Sequence, residues 1–196
     1  MTSFRTLVSV VLCAVPLVMS VPRNAHAQAG PAEEVAAQLE AADHGDVDAQ
    51  LRLGTRYLLG DGVKRDDAQA AAWWRKAADL GQASAQYNLG YLYLIGRGVQ
   101  TDAVQAMEWY HKAADQGHAQ AEKDLGVLYF KGQGVARDYV EAHKWYSIAA
   151  SRVSASLRQI FAAGRDEIAA LMTPQEIAEA QKLAGEWQAE FELHQR

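Results

Sequence analysis

Apolar residues recur along residues 49–152 at a fixed interval of 36 positions. In the first unit Ala49, Leu53, Gly54 and Tyr57 fall at positions i, i+4, i+5 and i+8, which lie on one face of a helix with 3.6 residues per turn. The units that align without a gap are 49–82, 85–118 and 121–152. A pattern that repeats at one period predicts a solenoid built from a single helical unit.

A second helix follows in each unit, after a short G-x-G-V element. In the first unit this element is residues 60–63, and its first glycine can take the left-handed conformation that ends many helices. Asp66 can cap the next helix by accepting a backbone N–H, and Trp73, Ala77 and Leu80 mark the predicted buried stripe of that helix. The predicted first helices of the units, termed helix A, are 47–59, 83–95 and 119–131. The predicted second helices, termed helix B, are 67–80, 103–116 and 139–151.

Two repeated positions indicate packing. Glycine stands in the middle of helix A, where it costs about 1 kcal/mol relative to alanine, so a neighbouring helix is expected to pack on the bare backbone there. The residues are Gly54, Gly90 and Gly126. Tryptophan recurs at one position of helix B, and a shared position predicts a core side chain in preference to a ligand-stacking one. The residues are Trp73, Trp109 and Trp145.

The repeats are bounded by incomplete units. Residues 32–44 match a helix B without its helix A and are expected to cap the N-terminal end. Together with the terminal segments described next, the predicted division of the chain is a signal peptide (1–27), an N-terminal half-repeat helix (28–47), three repeats (48–82, 83–118 and 119–152) and C-terminal capping helices (153–196).

The third unit departs from the pattern at its end. Arg152 and Val153 stand where the first unit has Leu-Gly, and two further helices are predicted over 154–171 and 174–193. The Thr-Pro-Gln-Glu sequence at 173–176 has the residues of a capping box with proline at the first helical position. The last helix can supply the polar outer face that a solenoid end requires. Its polar residues are Glu176, Glu179, Lys182, Glu186, Glu190 and Glu192.

Residues 1–27 have the pattern of a secretory signal peptide. Arg5 precedes an apolar run over 7–21, and Ala-His-Ala at 25–27 is a typical cleavage site, so the mature chain is expected to begin at Gln28. An uncleaved membrane anchor is the alternative, but the run is shorter than the ~20 residues of a spanning helix. The protein is expected to be exported without stable membrane insertion after cleavage, and to be periplasmic if its source is a Gram-negative bacterium.

Composition narrows the function classes. The only cysteine, Cys13, lies in the predicted signal peptide, which excludes an intramolecular disulfide framework and a thiolate-rich zinc site. The formal net charge of -5 argues against a nucleic-acid partner, because such proteins normally carry a basic surface. No cofactor and no metal site are predicted.

The repeated pattern A-x-x-x-L-G-x-x-Y-x-x-G-x-G-V-x-x-D-x-x-x-A-x-x-W-x-x-x-A-A-x-x-G resembles the Sel1-like repeat, a relative of the tetratricopeptide repeat. The resemblance covers roughly residues 32–152. It implies an all-α, right-handed α/α superhelix of about three and a half 36-residue helix-turn-helix repeats with C-terminal capping helices, and a scaffold that binds a protein or peptide. Some secreted members are disulfide-linked and β-lactamase-like; this chain lacks their cysteine pairs, so that activity is not carried over.

The same analogy places a partner on the concave surface, which is lined mostly by helix A. Aromatic side chains there are typical interface anchors, and Asn88 stands where a backbone-clamping asparagine can sit in such repeats. The alternative is that Tyr87, Tyr91 and Phe130 fill gaps between adjacent repeats. The candidate partner-binding residues are Leu51, Thr55, Leu58, Tyr87, Asn88, Tyr91, Leu94, Lys123, Val127 and Phe130.

No catalytic motif of the H-E-x-x-H, S-x-x-K, G-x-S-x-G or P-loop type occurs, and no catalytic residue is predicted. The sequence therefore favours a non-enzymatic scaffold. Two alternatives stay open: a cell-envelope hydrolase or peptidoglycan-modifying (β-lactamase-like) enzyme, and a structural subunit of an envelope secretion complex. The sequence leaves both a monomer and a dimer possible.

Overall fold

Helices make up almost all of residues 30–195, the part of the chain that the computed structural model describes. Within that range there are nine helices: α1 (Pro31–Asp43), α2 (Val47–Leu59), α3 (Asp67–Asp79), α4 (Ala83–Ile95), α5 (Ala103–Ala114), α6 (Ala119–Lys131), α7 (Tyr139–Arg152), α8 (Ala155–Ala169) and α9 (Pro174–His194). Every predicted helix is present, with its ends within two residues of the predicted ones. The predicted signal peptide lies outside the described residues.

The helices pack in the order in which they occur along the chain. The pairs α2/α3, α4/α5 and α6/α7 are the three repeats, and the second helix of each pair packs on the first helix of the next. Helix α1 packs on α2, as expected for a half unit. Packing between neighbouring units is characteristic of a solenoid, so the predicted all-α repeat architecture is confirmed.

The repeated loop residues set the helix ends. Gly60 ends α2 in the left-handed region, with φ 76°, and its backbone N–H donates to the carbonyl of Arg56. Asp102 precedes α5 and caps it, because its carboxylate accepts the backbone N–H groups of Val104 and Gln105 at 3.0 Å each. These contacts satisfy groups that a helix terminus leaves without intrahelical partners. The corresponding residues of the other repeats do the same: Gly96, Gly132, Asp66 and Asp138.

The glycine in the middle of helix A makes room for an aromatic ring of helix B. A Cβ atom on Gly90 would lie 2.8 Å from Cδ1 of Tyr110, a contact too short for real atoms. The same relationship holds between Gly126 and the ring of Tyr146. The predicted close packing is therefore confirmed, as is the burial of the repeated tryptophans, Trp73, Trp109 and Trp145.

The prediction for one core residue is wrong. Leu80 was expected to continue the buried stripe of the first helix B, but its side chain is 59% exposed. Helix α3 ends at Asp79, so Leu80 is the residue after the helix and points away from the stripe that Trp73 and Ala77 define.

Both C-terminal helices pack on α7. Gly164 of α8 lies against the ring of Tyr146, as Gly126 does from the other side. Trp187 of α9 meets Trp145 edge to face, with ring centroids 5.7 Å apart. The polar side chains predicted to cap the array along α9 are exposed. Between residues 30 and 195 no helix combines the length and apolar character needed to cross a membrane.

Candidate functional site

The candidate residues of helix A differ in how far they reach solvent. Thr55 and Tyr91 are exposed. The others are partly buried: Leu51, Leu58, Tyr87, Asn88, Leu94, Lys123, Val127 and Phe130. The surface that they form on α2, α4 and α6 is termed the helix-A surface below. The Leu-Gly pair of each helix A is buried, whereas the candidate positions on either side of it are exposed or half-buried. Each helix A therefore has one face that packs in the core and one that reaches solvent.

Tyr91 is the most open aromatic side chain of this surface. It lies in the middle repeat and is 44% exposed. The residues at its repeat position on the neighbouring helices are Thr55 and Val127, both of which are much smaller. The ring therefore stands between shorter side chains, which is the setting of an aromatic anchor for a partner.

Tyr87 is held by contacts between the second and third repeats. Its ring stacks on those of Tyr110 and His118, with centroid separations of 5.5 and 4.7 Å. Its hydroxyl donates to Oδ2 of Asp124 at 3.1 Å. Burial, the nearby Asp124 carboxylate and the hydrogen bond to it raise the pKa of the Tyr87 hydroxyl above its ordinary value. Tyr87 thus fills the repeat junction, which is the alternative that the sequence left open. Phe130 packs beside Tyr139, with ring centroids 5.7 Å apart, so Tyr91 is the one of the three candidate rings that is exposed.

The leucines of the set also pack between repeats. Leu51 and Leu58 border the core cluster that includes Leu89 and Trp109. Leu94 borders the next cluster, which contains Leu125 and Trp145. These side chains therefore form the apolar floor of the helix-A surface and contribute less exposed area than Tyr91.

Polar groups lie beside the rings in the second and third repeats. Asn88 follows Tyr87 on α4 and is half-buried. Lys123 forms an ion pair with Asp124, which also accepts the hydroxyl of Tyr87. An amide, an ammonium group and a carboxylate next to an exposed ring can supply hydrogen bonds of both polarities to a bound backbone.

Three further residues belong to this surface and were not predicted from the sequence. Leu59 and Ile95 end α2 and α4 and are 69% and 40% exposed. Each lies four positions after Thr55 or Tyr91, so the helical period that identified the earlier residues also points to them. Asp124, which is not among the predicted residues, accepts the hydrogen bond from the hydroxyl of Tyr87.

Three histidines lie in the second and third repeats, and one of them, His118, stacks on Tyr87 of the helix-A surface. Burial lowers the pKa of His111, which lies edge-on to Trp145, and that of His143, which is fully enclosed on α7. His118 caps α6 by accepting the N–H of Ala121 at 3.3 Å. In the part of the chain described, no three His, Cys, Asp or Glu side chains are grouped so as to hold a metal ion.

Comparison with known proteins assigns the repeats. The family model described as Sel1 repeat matches residues 47–82, 83–118 and 119–153, more than half of the chain. No curated protein sequence matches significantly.

Several solved structures are similar. The chain is 32% identical to c5321, described as a protective antigen present in uropathogenic Escherichia coli strains and displaying an SLR fold, with a TM-score of 0.73 over 81% of this chain and 33% of that one. This chain thus spans about a third of that antigen. A Sel1 repeat protein from Oxalobacter formigenes is 40% identical, with a TM-score of 0.59 over 66% of this chain and 98% of that one. The fold alone is shared with Helicobacter pylori cysteine rich protein B, which is 20% identical, with a TM-score of 0.50 over 66% of this chain and 96% of that one.

Proposed function

Because the chain belongs to the Sel1 repeat family, we propose that it is an exported, non-enzymatic scaffold that binds a protein or peptide partner on its helix-A surface. Sel1 repeats commonly mediate protein–protein interaction, and the family typically consists of scaffolds without enzymatic activity. The proposal adds the surface, the compartment and the residues to that general role.

The exposure of Tyr91 is the observation that carries the proposal. Leu89 and Gly90 precede it on α4 and are fully buried, and Leu92 follows it and is also buried. A single exposed apolar side chain is ordinary, but Tyr91, at 44% exposure, is followed one helical turn later by Ile95, at 40%. Exposed apolar side chains that adjoin in this way are typical of an interaction site.

The chemistry of the surface suits an extended peptide segment. Tyr91 offers a ring for an apolar side chain of the partner, and Ile95 continues the apolar area by one helical turn. Asn88 can donate to and accept from a peptide backbone at the same time. Lys123 and Asp124 already neutralise one another, so the surface carries little net charge for the partner to match.

The pattern of residues 1–27 supports export, and export determines the compartment in which the partner should be sought. The proposal places the mature chain in the compartment that lies beyond the secretory membrane. Mass spectrometry of the protein recovered from the envelope fraction of its source is expected to give Gln28 as the first residue. Recovery of the intact N-terminus from the cytosol would contradict export.

Affinity capture from the native envelope tests the binding surface. Tyr91→Ala and Asn88→Ala, alone and together, are expected to lose the captured partner, because they remove the anchor and the amide. Glu108→Ala on the exposed side of α5 is the matched control and is expected to retain it. Capture that survives both helix-A changes, or is lost with the control alone, would overturn the proposed surface.

A further inference from the structure

The third repeat carries an acid at a buried position where the first two have glutamine. Gln50 and Gln86 each donate from Nε2 to the backbone carbonyl that lies 8 residues earlier, that of Ala42 at 3.0 Å and that of Ala78 at 3.1 Å. Glu122 occupies the same repeat position and has no exposed surface. An ionised carboxylate has no hydrogen to donate, so the equivalent carbonyl, that of Ala114, receives no bond from it.

The residue facing this position changes as well. In the second repeat Nε2 of Gln116 donates to Oε1 of Gln86 at 2.8 Å. One repeat later Arg152 replaces Gln116, and its Nε lies 3.4 Å from Oε1 of Glu122. Neither Nε nor either carboxylate oxygen has a hydrogen-bond partner among the described residues. The uncharged Gln86–Gln116 contact of the second repeat is thus replaced in the third by a charged Glu122–Arg152 pair, in which the carboxylate is fully buried.

Helix α9 closes this site from outside. The guanidinium carbon of Arg152 lies 3.7 Å from the ring centroid of Phe191 and 4.9 Å from that of Trp187. The docking position of Trp187 on Trp145 is specific to the third repeat. In the first two repeats a lysine, Lys76 or Lys112, lies over the corresponding tryptophan, whereas the third has the buried Ile148 at that position. A lysine from another position, Lys144, lies 4.7 Å from the ring centroid of Trp145.

We propose that closure of residues 186–194 of α9 over Arg152 is coupled to a proton on Glu122. With the proton bound, the carboxyl O–H can donate to the carbonyl of Ala114, as the glutamine amides do in the other repeats, and the closed site needs no water. Without the proton, the buried carboxylate has one cation beside it and no hydrogen bond. Water reaches it when Phe191 and Arg152 move outward, so loss of the proton favours opening of the helix end.

The direction of the coupling between the proton and α9 follows from the state, closed or open, in which the Glu122 carboxyl group is hydrated. Burial raises the pKa of Glu122 from 4.5 to about 7 in the closed state, against the opposing effect of Arg152. Opening hydrates the carboxylate and lowers that pKa, so a rise in pH through 7 shifts the protein toward the open state. Other titratable and charged groups border the site. They are His118 at the start of α6, Asp115 after α5, and Glu190, Glu192 and His194 on α9.

Hydrogen exchange measured from pH 6 to pH 8 tests the coupling in the whole protein. If opening returns the pKa of Glu122 to 4.5, the opening constant of residues 186–194 rises about tenfold over this range, after correction for intrinsic exchange. Glu122→Gln is expected to abolish the rise, because glutamine stays neutral and can make both bonds. The glutamines of the first two repeats show that the site accepts this side chain.

Two control variants distinguish the titration of Glu122 from that of other groups on α9. Glu179→Gln removes an exposed acid from α9, and His194→Asn removes the histidine that borders the cleft beside Trp187; both are expected to keep the tenfold rise. A flat profile in the wild-type protein would overturn the proposal. So would a rise that persists in Glu122→Gln or disappears in His194→Asn.

Discussion

Nε of Arg152 lies 3.4 Å from Oε1 of Glu122, a carboxyl group with no exposed surface. At the same repeat positions one unit earlier, Gln116 donates to Gln86 at 2.8 Å. The two junctions occupy equivalent repeat positions and differ in charge. In the account proposed above, the stability of the third repeat depends on the protonation of Glu122.

Glu122→Gln is expected to stabilise the protein at pH 8 and to have little effect at pH 5. Burial raises the folded-state pKa of Glu122 above its unfolded value, so the stability it contributes is present at low pH and is lost as the pH rises through about 7. A buried polar group left unsatisfied costs about 1–3 kcal/mol, which is the gain in unfolding free energy expected at pH 8. Urea denaturation at both pH values measures it, and an equal gain at pH 5 and pH 8 would contradict this account.

Gly90→Ala and Gly185→Ala are expected to change stability in opposite directions. Both glycines lie inside helices, where alanine is favoured by about 1 kcal/mol. A Cβ on Gly90 would meet the ring of Tyr110 at 2.8 Å, whereas a Cβ on Gly185 has nothing within 4 Å. Overpacking typically costs about 1–3 kcal/mol, so Gly90→Ala should lower the urea midpoint while Gly185→Ala raises it. A raised midpoint for both variants would show that the Gly90 site is not tightly packed.

Asp102→Ala is expected to lower the unfolding free energy by about 0.5–2 kcal/mol, because it removes the cap of α5. Asp102→Ser keeps an oxygen that can accept the same N–H groups and should retain most of the stability. The two thermal midpoints, measured by circular dichroism, check the assignment. Equal losses from alanine and serine would assign the effect to something other than the cap.

Trp187→Ala is expected to destabilise the C-terminal cap by about 1–3 kcal/mol, below the range for a fully buried aromatic, because the side chain is only partly buried. Leu193→Ala on the same helix removes a side chain that is 67% exposed and should change stability by less than about 0.5 kcal/mol. Denaturation of the two variants side by side measures the difference. A similar small effect for both would mean that α9 is not held by its contact with Trp145.

The repeats were predictable from the sequence because the same residue type recurs at the same position of all three units. Asp66 is identified as a cap by the recurrence of aspartate at the same place, and Gly54 as a packing site in the same way. Where the recurrence stops, the prediction weakens. Leu80 was assigned to the core from a single unit, and the end of α3 one residue earlier leaves it exposed.

The candidate binding surface was predictable only in outline. Helical period and repeat offset select the residues of helix A that do not pack within a repeat, but they do not distinguish Tyr87 from Tyr91. That difference arises from Asp124 and His118, which approach Tyr87 from the next repeat. The sequence shows that Glu122 replaces the glutamine of the other repeats. It does not show that the carboxyl group is closed off from solvent, because that depends on α9 packing over Arg152.

Site-specific photo-crosslinking in the native envelope tests the central claim, partner binding on the helix-A surface, most directly. A photoreactive phenylalanine is placed at Tyr91 in one variant and at Glu108, on the exposed side of α5, in the other. The account predicts one discrete adduct from position 91, lost when Asn88→Ala is added, and none from position 108. An adduct from position 108 with none from position 91 would contradict it.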